Sequence, residues 1–262
     1  MRVMALGAAL AAACGAVVLL AVDRSPEPTS RPAATVARPS VDPLPAPPEL
    51  GLAIPEPTLL SAREGVSLWA PVLTSVTVRS APSPGAPRVG LLAATTPEET
   101  ENIVHVTGNG RRAGETLWVP IRGAALTGWI PRRSLGGYET VDTRLRVDTR
   151  ALTATLLRGD EVLFRAPVGV GTAEAPTPTG DFFVRNVLTR YRSPAYGPVA
   201  FGTSAQSETL TDWPAGGFVG IHGTDRPELL PGRVSHGCIR LRNDDIVALA
   251  RLMPIGTPVT IT

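Results

Sequence analysis

Two histidines and a cysteine lie close together in one stretch near the C-terminus, GIHGTDRPELLPGRVSHGCIRLRND at residues 220–244. They are His222, His236 and Cys238, and the chain has only one further histidine and one further cysteine. Imidazole and thiol groups in one segment can bind a metal, pack as structural groups, or act as a nucleophile with its base.

A zinc site would need three or four ligands from histidine, cysteine or carboxylate side chains. His222, His236 and Cys238 could supply three, and Asp225 a fourth. Their spacing matches no established zinc pattern, and the sequence has no second cysteine pair, no H-E-x-x-H motif and no EF-hand loop. We therefore disfavour a metal site.

The N-terminus indicates the compartment in which the thiol must survive. Met1 and Arg2 precede VMALGAALAAACGAVVLLAV, an apolar run without charge or proline that ends at residue 22. About 20 apolar residues cross a bilayer as a helix, whereas a signal-peptide core has about 7–15. We expect residues 1–22 to anchor the chain in the plasma membrane, with cleavage at residues 11–13 or lipidation of Cys14 as alternatives.

A free thiol outside the cytosol is unusual, because thiols there oxidise and usually pair. Cys238 has no partner, since Cys14 lies in the apolar segment or is removed with it. A buried structural cysteine remains an alternative, but an unpaired thiol in that compartment favours a reactive role.

Composition excludes one broad class of function. The net charge is +2, all 25 basic residues are arginine, and they are scattered. Aromatic residues make up only 5% of the chain, and no basic stripe with interleaved aromatics occurs. We therefore expect no nucleic-acid partner.

The chain divides into a linker and two β-rich blocks. Residues 23–58 are rich in proline, which excludes helix and central strand and predicts an unfolded, semi-extended spacer. Residues 61–137 contain short alternating runs that predict a small barrel. Within this block Asn109-Gly110 is typical of a hairpin turn, and alternation places His105 on an exposed strand face.

Residues 138–262 form the second β-rich block. Arg158-Gly159-Asp160 is better explained as a hairpin turn than as an adhesion motif, given the alternation on either side. One helix is predicted near the end, with Asn243 as its N-cap and Pro254 and Gly256 stopping it.

The residues around Cys238 suit acyl transfer. The connection between His222 and Cys238 contains glycines and prolines that let it loop out and bring the two together. Gly237 permits a tight turn that can aim backbone N–H groups at an oxyanion. Arg240 could bind a substrate carboxylate or form a structural ion pair.

Three motifs closely resemble the L,D-transpeptidase (YkuD-like) family of bacterial cell-wall enzymes: TPTGDF at 177–182, IHGT at 221–224 and SHGCIRLRND at 235–244. The resemblance covers roughly residues 138–262 and implies a β-sandwich-like catalytic domain with one helix. Residues 61–137 resemble bacterial SH3-like domains, for which we favour a positioning role.

The resemblance implies roles for four residues. Cys238 is the nucleophile, and His222 is its base and later its acid. The Gly223 carbonyl takes over the ring-orienting role that a serine has in some family members. His236 lines the site, although the sequence alone leaves open an exchange of roles between the two histidines.

The same resemblance implies an oxyanion hole formed by the Gly237 and Cys238 N–H groups, with Ser235 and Arg240 on the substrate side. The implied reaction takes a tetrapeptide stem of peptidoglycan, releases its terminal D-Ala and transfers the remainder to a side-chain amine of a second stem. No metal or organic cofactor is implied, and carbapenems should acylate the thiol. A carboxypeptidase and an inactive wall-binding protein remain alternatives.

Overall fold

The computed structural model describes residues 65–189, 193–207, 209 and 217–262. The predicted anchor at 1–22 and spacer at 23–58 lie outside these residues. None of the helices in the described ranges is long and apolar enough to span a membrane.

An antiparallel sheet forms the N-terminal part, in the strand order β3-β2-β7-β6-β4-β1-β8, with β5 paired to β6. Alternating apolar residues such as Val78, Val104 and Ile121 point into its core and are fully buried. Its strands are β1 (Ser67–Pro71), β2 (Val76–Arg79), β3 (Arg88–Leu92), β4 (Ile103–Val106), β5 (Arg111–Ala113), β6 (Thr116–Arg122), β7 (Thr127–Pro131) and β8 (Glu139–Val141).

The hairpin predicted at Asn109-Gly110 is wrong. The hairpin of this region instead pairs β5 with β6, and the turn between these two strands contains Gly114 with a φ of 59°. Gly110 serves a different purpose, because a Cβ there would lie 3.0 Å from the Leu117 side chain and 3.1 Å from the Trp118 carbonyl. Its lack of a side chain permits a close approach of backbone to β6.

A mixed sheet of ten strands forms the C-terminal part and curls into a half-barrel. Its order is β11-β10-β9-β18-β13-β14-β15-β17-β12-β16. The strands are β9 (Thr143–Asp148), β10 (Thr153–Arg158), β11 (Glu161–Pro167), β12 (Gly169–Gly171), β13 (Gly180–Leu188), β14 (Ala200–Gln206), β15 (Phe218–His222), β16 (Gly232–Ser235), β17 (Ile239–Arg240) and β18 (Pro258–Ile261).

One long strand makes this sheet continuous. The first half of β13 pairs with β18 and its second half pairs with β14. The strands therefore form a single curled sheet, where the resemblance suggested a sandwich-like arrangement. The predicted hairpin turn at residues 158–160 is confirmed, with Arg158 paired to Glu161 and Gly159 at a φ of 57°.

A single α-helix in the described residues, α1 (Asn243–Ala250), packs Ile246 and Leu249 against the core of the curled sheet. The mainly β prediction with one C-terminal helix is confirmed. Three short 3-10 turns complete the described structure, at Arg132–Ser134, Pro194–Tyr196 and Pro227–Leu229.

The two sheets share a buried seam, and His105 lies in it. Its side chain is only 5% exposed, Nε2 donates to the Gly256 carbonyl at 2.8 Å, and the ring stacks on Phe183 with centroids 4.4 Å apart. The prediction of an exposed histidine is wrong. Alternation describes the two faces of one sheet, but it carries no information about a second sheet that covers the outer face.

Candidate functional site

Two neighbouring strands position the predicted base and nucleophile. His222 is the last residue of β15, and Cys238 directly precedes β17. The strands run parallel, with Ile221 opposite Ile239, and Leu241 N–H donates to the His222 carbonyl at 2.8 Å. Parallel pairing thus brings together two segments that are sixteen residues apart.

Gly220 lies next to both side chains. Its N–H donates to Cys238 Sγ at 3.4 Å. A Cβ built on Gly220 would lie 3.6 Å from His222 Cδ2 and 3.9 Å from Cys238 Sγ. The imidazole and the thiol therefore lie beside the same backbone position.

The His222 ring is held in one orientation. Nδ1 lies 2.6 Å from the Gly223 carbonyl, which can only accept, so Nδ1 carries the proton and Nε2 keeps its lone pair. The Tyr196 ring packs against the imidazole with centroids 4.5 Å apart. The buried imidazole is thus presented as a proton acceptor.

Burial sets the protonation state of both groups. Burial is the main reason why the pKa of His222 is lowered to about 4; the Gly223 hydrogen bond acts to raise the pKa, and Arg240 helps to lower it. Burial raises the pKa of the Cys238 thiol, while the Gly220 N–H and Arg240 act to lower it. At neutral pH the resting pair is a neutral imidazole beside a neutral thiol, so the proton must move when the thiol attacks.

The turn before Cys238 is fixed from two sides. Gly237 has a φ of 116°, a conformation that glycine adopts without strain. The Thr177 hydroxyl donates to the Gly237 carbonyl at 2.8 Å and accepts from Gly171 N–H at 2.8 Å. Ser235 Oγ donates to the Cys238 carbonyl at 2.6 Å. Thr177 lies in the TPTGDF motif, but its contact with the turn was not predicted.

The two predicted oxyanion donors differ in availability. Gly237 N–H donates to Ser235 Oγ at 3.2 Å, so it would have to exchange this bond to meet an oxyanion. Cys238 N–H has no acceptor within the part of the chain that the structure describes. The buried Ser235 hydroxyl therefore bonds to the turn at both Gly237 and Cys238.

Arg240 lies close enough to lower the pKa values of both His222 and Cys238. Its side chain is half-buried, Nη1 donates to the Val234 carbonyl at 3.4 Å, and Nε is buried without a hydrogen bond. The ion pairs between described residues are Arg158–Asp142 and Arg185–Glu98. Among these residues the Arg240 guanidinium thus has no carboxylate partner.

His236 is exposed on the turn, and no hydrogen bond to a described residue orients its ring. The structure therefore places His222 beside the thiol as the oriented histidine. No group of three or more metal-ligating side chains occurs among the described residues.

Asn243 does not cap the helix, contrary to the prediction. The N-cap is Arg242, without a side-chain hydrogen bond, and Asn243 Oδ1 accepts from Thr224 N–H at 3.0 Å. A Cβ on Gly223 would collide with this oxygen. The side chain turns to the loop after His222 because Thr224 N–H lies there as a donor. Asn243 therefore supports the segment that orients the imidazole.

Known proteins match this chain in the region that contains the candidate site. Residues 142–261 match the family model of the L,D-transpeptidase catalytic domain, YkuD. The protein YkuD of Bacillus subtilis, named as an L,D-transpeptidase, is 38% identical over 122 residues, which are 47% of this chain and 67% of YkuD.

Two solved structures match with lower overall similarity. The catalytic domain of the Enterococcus faecium L,D-transpeptidase is 26% identical, with a TM-score of 0.36 over 46% of this chain and 97% of that one. LdtMt1, solved in complex with imipenem, is 19% identical, with a TM-score of 0.37 over 60% and 78% of the two chains. On the family match and the identity to YkuD, this chain belongs to the L,D-transpeptidase (YkuD) family, with its catalytic domain at residues 142–261.

Proposed function

We propose that this protein is a cell-envelope L,D-transpeptidase that forms 3→3 cross-links in peptidoglycan through a thioester on Cys238. The observation that carries the proposal is the pairing around Gly220. A neutral imidazole, oriented by the Gly223 carbonyl, lies near a thiol that has no disulfide partner among the residues that the structure describes. In such a pair the thiol proton can pass to the imidazole while the sulfur forms a bond to the substrate carbon.

In the first half of the reaction, Cys238 Sγ attacks the carbonyl carbon of the third residue of a tetrapeptide stem. The thiol proton passes to His222 Nε2, and the carbonyl oxygen becomes an oxyanion. Cys238 N–H is the available donor for this oxyanion, with Gly237 N–H joining if it releases Ser235. The carbon–nitrogen bond then breaks, His222 returns the proton to the leaving nitrogen, and D-Ala departs.

In the second half, a side-chain amine of another stem attacks the thioester carbonyl. His222 takes a proton from the amine, the carbon–sulfur bond breaks, and the thiol regains its proton. Water in place of the amine would give a carboxypeptidase. The exposed His236, two residues before the nucleophile, lines the site. The Arg240 guanidinium, which has no carboxylate partner among the described residues, binds a stem carboxylate.

The organisation of the chain suits this function. We infer an anchor at 1–22, a spacer at 23–58, an SH3-like barrel at 61–137 and a catalytic domain at 138–262 that is built on the curled sheet. Such an order would carry the catalytic site away from the plasma membrane toward the wall.

The test is product analysis with the chain from residue 59 onward and a tetrapeptide muropeptide. We expect D-Ala release with a cross-linked dimer, both lost in Cys238→Ala and strongly reduced in His222→Ala. Tripeptide without dimer would indicate a carboxypeptidase instead. A carbapenem should add its mass to the wild type but not to Cys238→Ala. Neither turnover nor adduct in the wild type would contradict the proposal.

A further inference from the structure

The loop between β3 and β4 of the N-terminal sheet contacts β13 of the curled sheet. Glu98 Oε1 pairs with Arg185 Nη2 at 2.9 Å, and Glu98 Oε2 accepts from Asn186 Nδ2 at 3.2 Å. The Arg185 side chain is 2% exposed and that of Glu98 is 14% exposed. Thr100 Oγ1 adds an acceptor for Asn186 Nδ2 at 2.9 Å. One carboxylate from the first sheet therefore holds two adjacent residues of the second.

A β-bulge explains why two adjacent residues can face the same loop. Between Val184 and Asn186 the pairing of β13 with β14 advances two residues on β13 but only one on β14, from Thr203 to Gly202. Arg185 is the extra residue. A bulge leaves the extra residue unpaired in the ladder and re-aims the side chains beside it.

The same two side chains bond directly to the backbone of β14. Arg185 Nε donates to the Thr203 carbonyl at 2.7 Å, and Asn186 Oδ1 accepts from Gly202 N–H at 3.1 Å. A Cβ on Gly202 would collide with Asn186 Oδ1. The backbone of β14 is thus positioned by side chains that depend on Glu98.

From β14 the contacts continue to the thiol. Thr203 Oγ1 donates to the Val219 carbonyl at 2.6 Å, and Gly202 lies opposite Gly220 in the register of β14 with β15. Gly220 N–H donates to Cys238 Sγ. The Arg185 guanidinium also lies 3.8 Å from the ring centroid of Phe218, at the start of β15. We call this series from Glu98 to Gly220 the seam contacts.

We propose that Glu98 is a positioning residue for the reaction: through Arg185 and Asn186 it holds β14 and β15 so that Gly220 N–H meets Cys238 Sγ. The N-terminal sheet then supplies part of the catalytic geometry instead of only carrying the domain. This inference deepens the proposed function and rests on it.

The side chains in the seam have room to move when Glu98 is changed. Arg185, Phe218 and Thr96 line a cavity of about 390 Å³ together with residues of the first sheet such as Leu92 and Leu126. We therefore expect a neutral residue at position 98 to let Arg185 shift into this space, and β15 with it. The expected consequence is a longer Gly220 N–H to Sγ distance, and this N–H is a group that lowers the pKa of the thiol.

The test compares Glu98→Gln with Glu101→Gln, which removes the same charge from an exposed residue of the same loop. The readouts are kcat, KM and the pH profile of Cys238 alkylation by iodoacetamide, measured on the full chain, with alkylation followed on the peptide that contains Cys238. For Glu98→Gln we expect alkylation at pH 7 to slow about threefold to tenfold as the profile moves to higher pH. We expect kcat to fall about tenfold or more with KM within about twofold.

Glu98→Asp keeps the carboxylate and should recover part of both losses, and Glu101→Gln should match the wild type. Thr100→Val removes an acceptor for Asn186 and should move the profile in the same direction by less, which keeps the test valid if Glu98→Gln folds poorly. An unchanged alkylation profile in folded Glu98→Gln and Thr100→Val would overturn the inference. Alkylation needs no stem peptide, so a shifted alkylation profile supports the role of Glu98 even if the proposed transpeptidase activity fails. Wild-type turnover together with an unshifted profile in the variants would refute the role of Glu98 alone.

Discussion

The boundary between the two sheets and the candidate site each contain a buried histidine, and these two histidines resemble each other in many respects. His105 and His222 are 5% and 2% exposed, each ring has a nitrogen that donates to a glycine carbonyl, and each packs on an aromatic ring. Burial lowers the pKa of both to about 4. The difference lies in what surrounds them. His105 joins two sheets through Gly256, whereas His222 bonds to its own neighbour Gly223 and lies beside a thiol.

A low pKa and complete burial therefore do not identify a catalytic histidine. Both features follow from desolvation, which acts in any apolar interior. A local hydrogen bond that leaves one ring nitrogen free, next to a nucleophile, is the feature that distinguishes His222. The comparison predicts that the two residues affect different properties of the protein.

The largest expected effect is on turnover. His222→Ala should lower the rate of D-Ala release about 10²–10⁴-fold, because it removes the general acid and base. His105→Ala should leave the rate per folded molecule within about threefold, while it lowers the free energy of unfolding by about 2–4 kcal/mol through the lost packing and the unpaired Gly256 carbonyl. Kinetics and urea unfolding of the two variants measure this. Equal losses of turnover would refute the distinction.

The second expected effect is on how the free energy of unfolding depends on pH, and here the two histidines should act alike. Each has a pKa of about 4 in the folded chain and an ordinary value of 6.5, so the unfolded state binds more protons between these values. The free energy of unfolding should fall as the pH drops from about 6.5 to about 4, by up to about 3 kcal/mol for each histidine. Either alanine variant should show a shallower fall in urea unfolding at stepped pH, and an unchanged slope would contradict the burial of that ring.

Much of the site was predictable because its signals are local in sequence. The motif residues Cys238 and His222 lie together as the resemblance implied, and the turn at Gly159 follows from the strands that flank it. The failures involve partners far along the chain. His105 is covered by a sheet whose contacting residue is 151 positions away, and Asn243 turns to Thr224 instead of its own helix.

The seam contacts belong to the same class. Glu98 and Arg185 are 87 residues apart, and neither lies in a motif that would connect them. A charged residue on a loop normally faces solvent, so pattern alone would place Glu98 there. Only the packing of the two sheets shows that this carboxylate is needed for a buried guanidinium.

The smallest expected effect comes from comparing substitutions of two buried threonines, Thr177 and Thr143. Thr177→Val removes both hydrogen bonds that connect Gly171 and Gly237, whereas Thr143→Val, at the start of β9, removes one bond to the Thr257 hydroxyl. Both changes should destabilise by about 1–3 kcal/mol. Only Thr177→Val should also slow alkylation of Cys238, since its bond to Gly237 fixes the turn that presents the thiol. Alkylation rates of the folded variants test this, and equal slowing by both would remove the special role of the turn.

The most direct test of the whole account is to locate the acyl group. The chain from residue 59 onward is mixed briefly with a tetrapeptide stem, quenched in acid, digested and examined by mass spectrometry. The account predicts an adduct of the stem less D-Ala on the peptide that contains Cys238, accumulating when the acceptor amine is withheld. D-Ala release without an adduct at Cys238, or with the adduct on another residue, would contradict it.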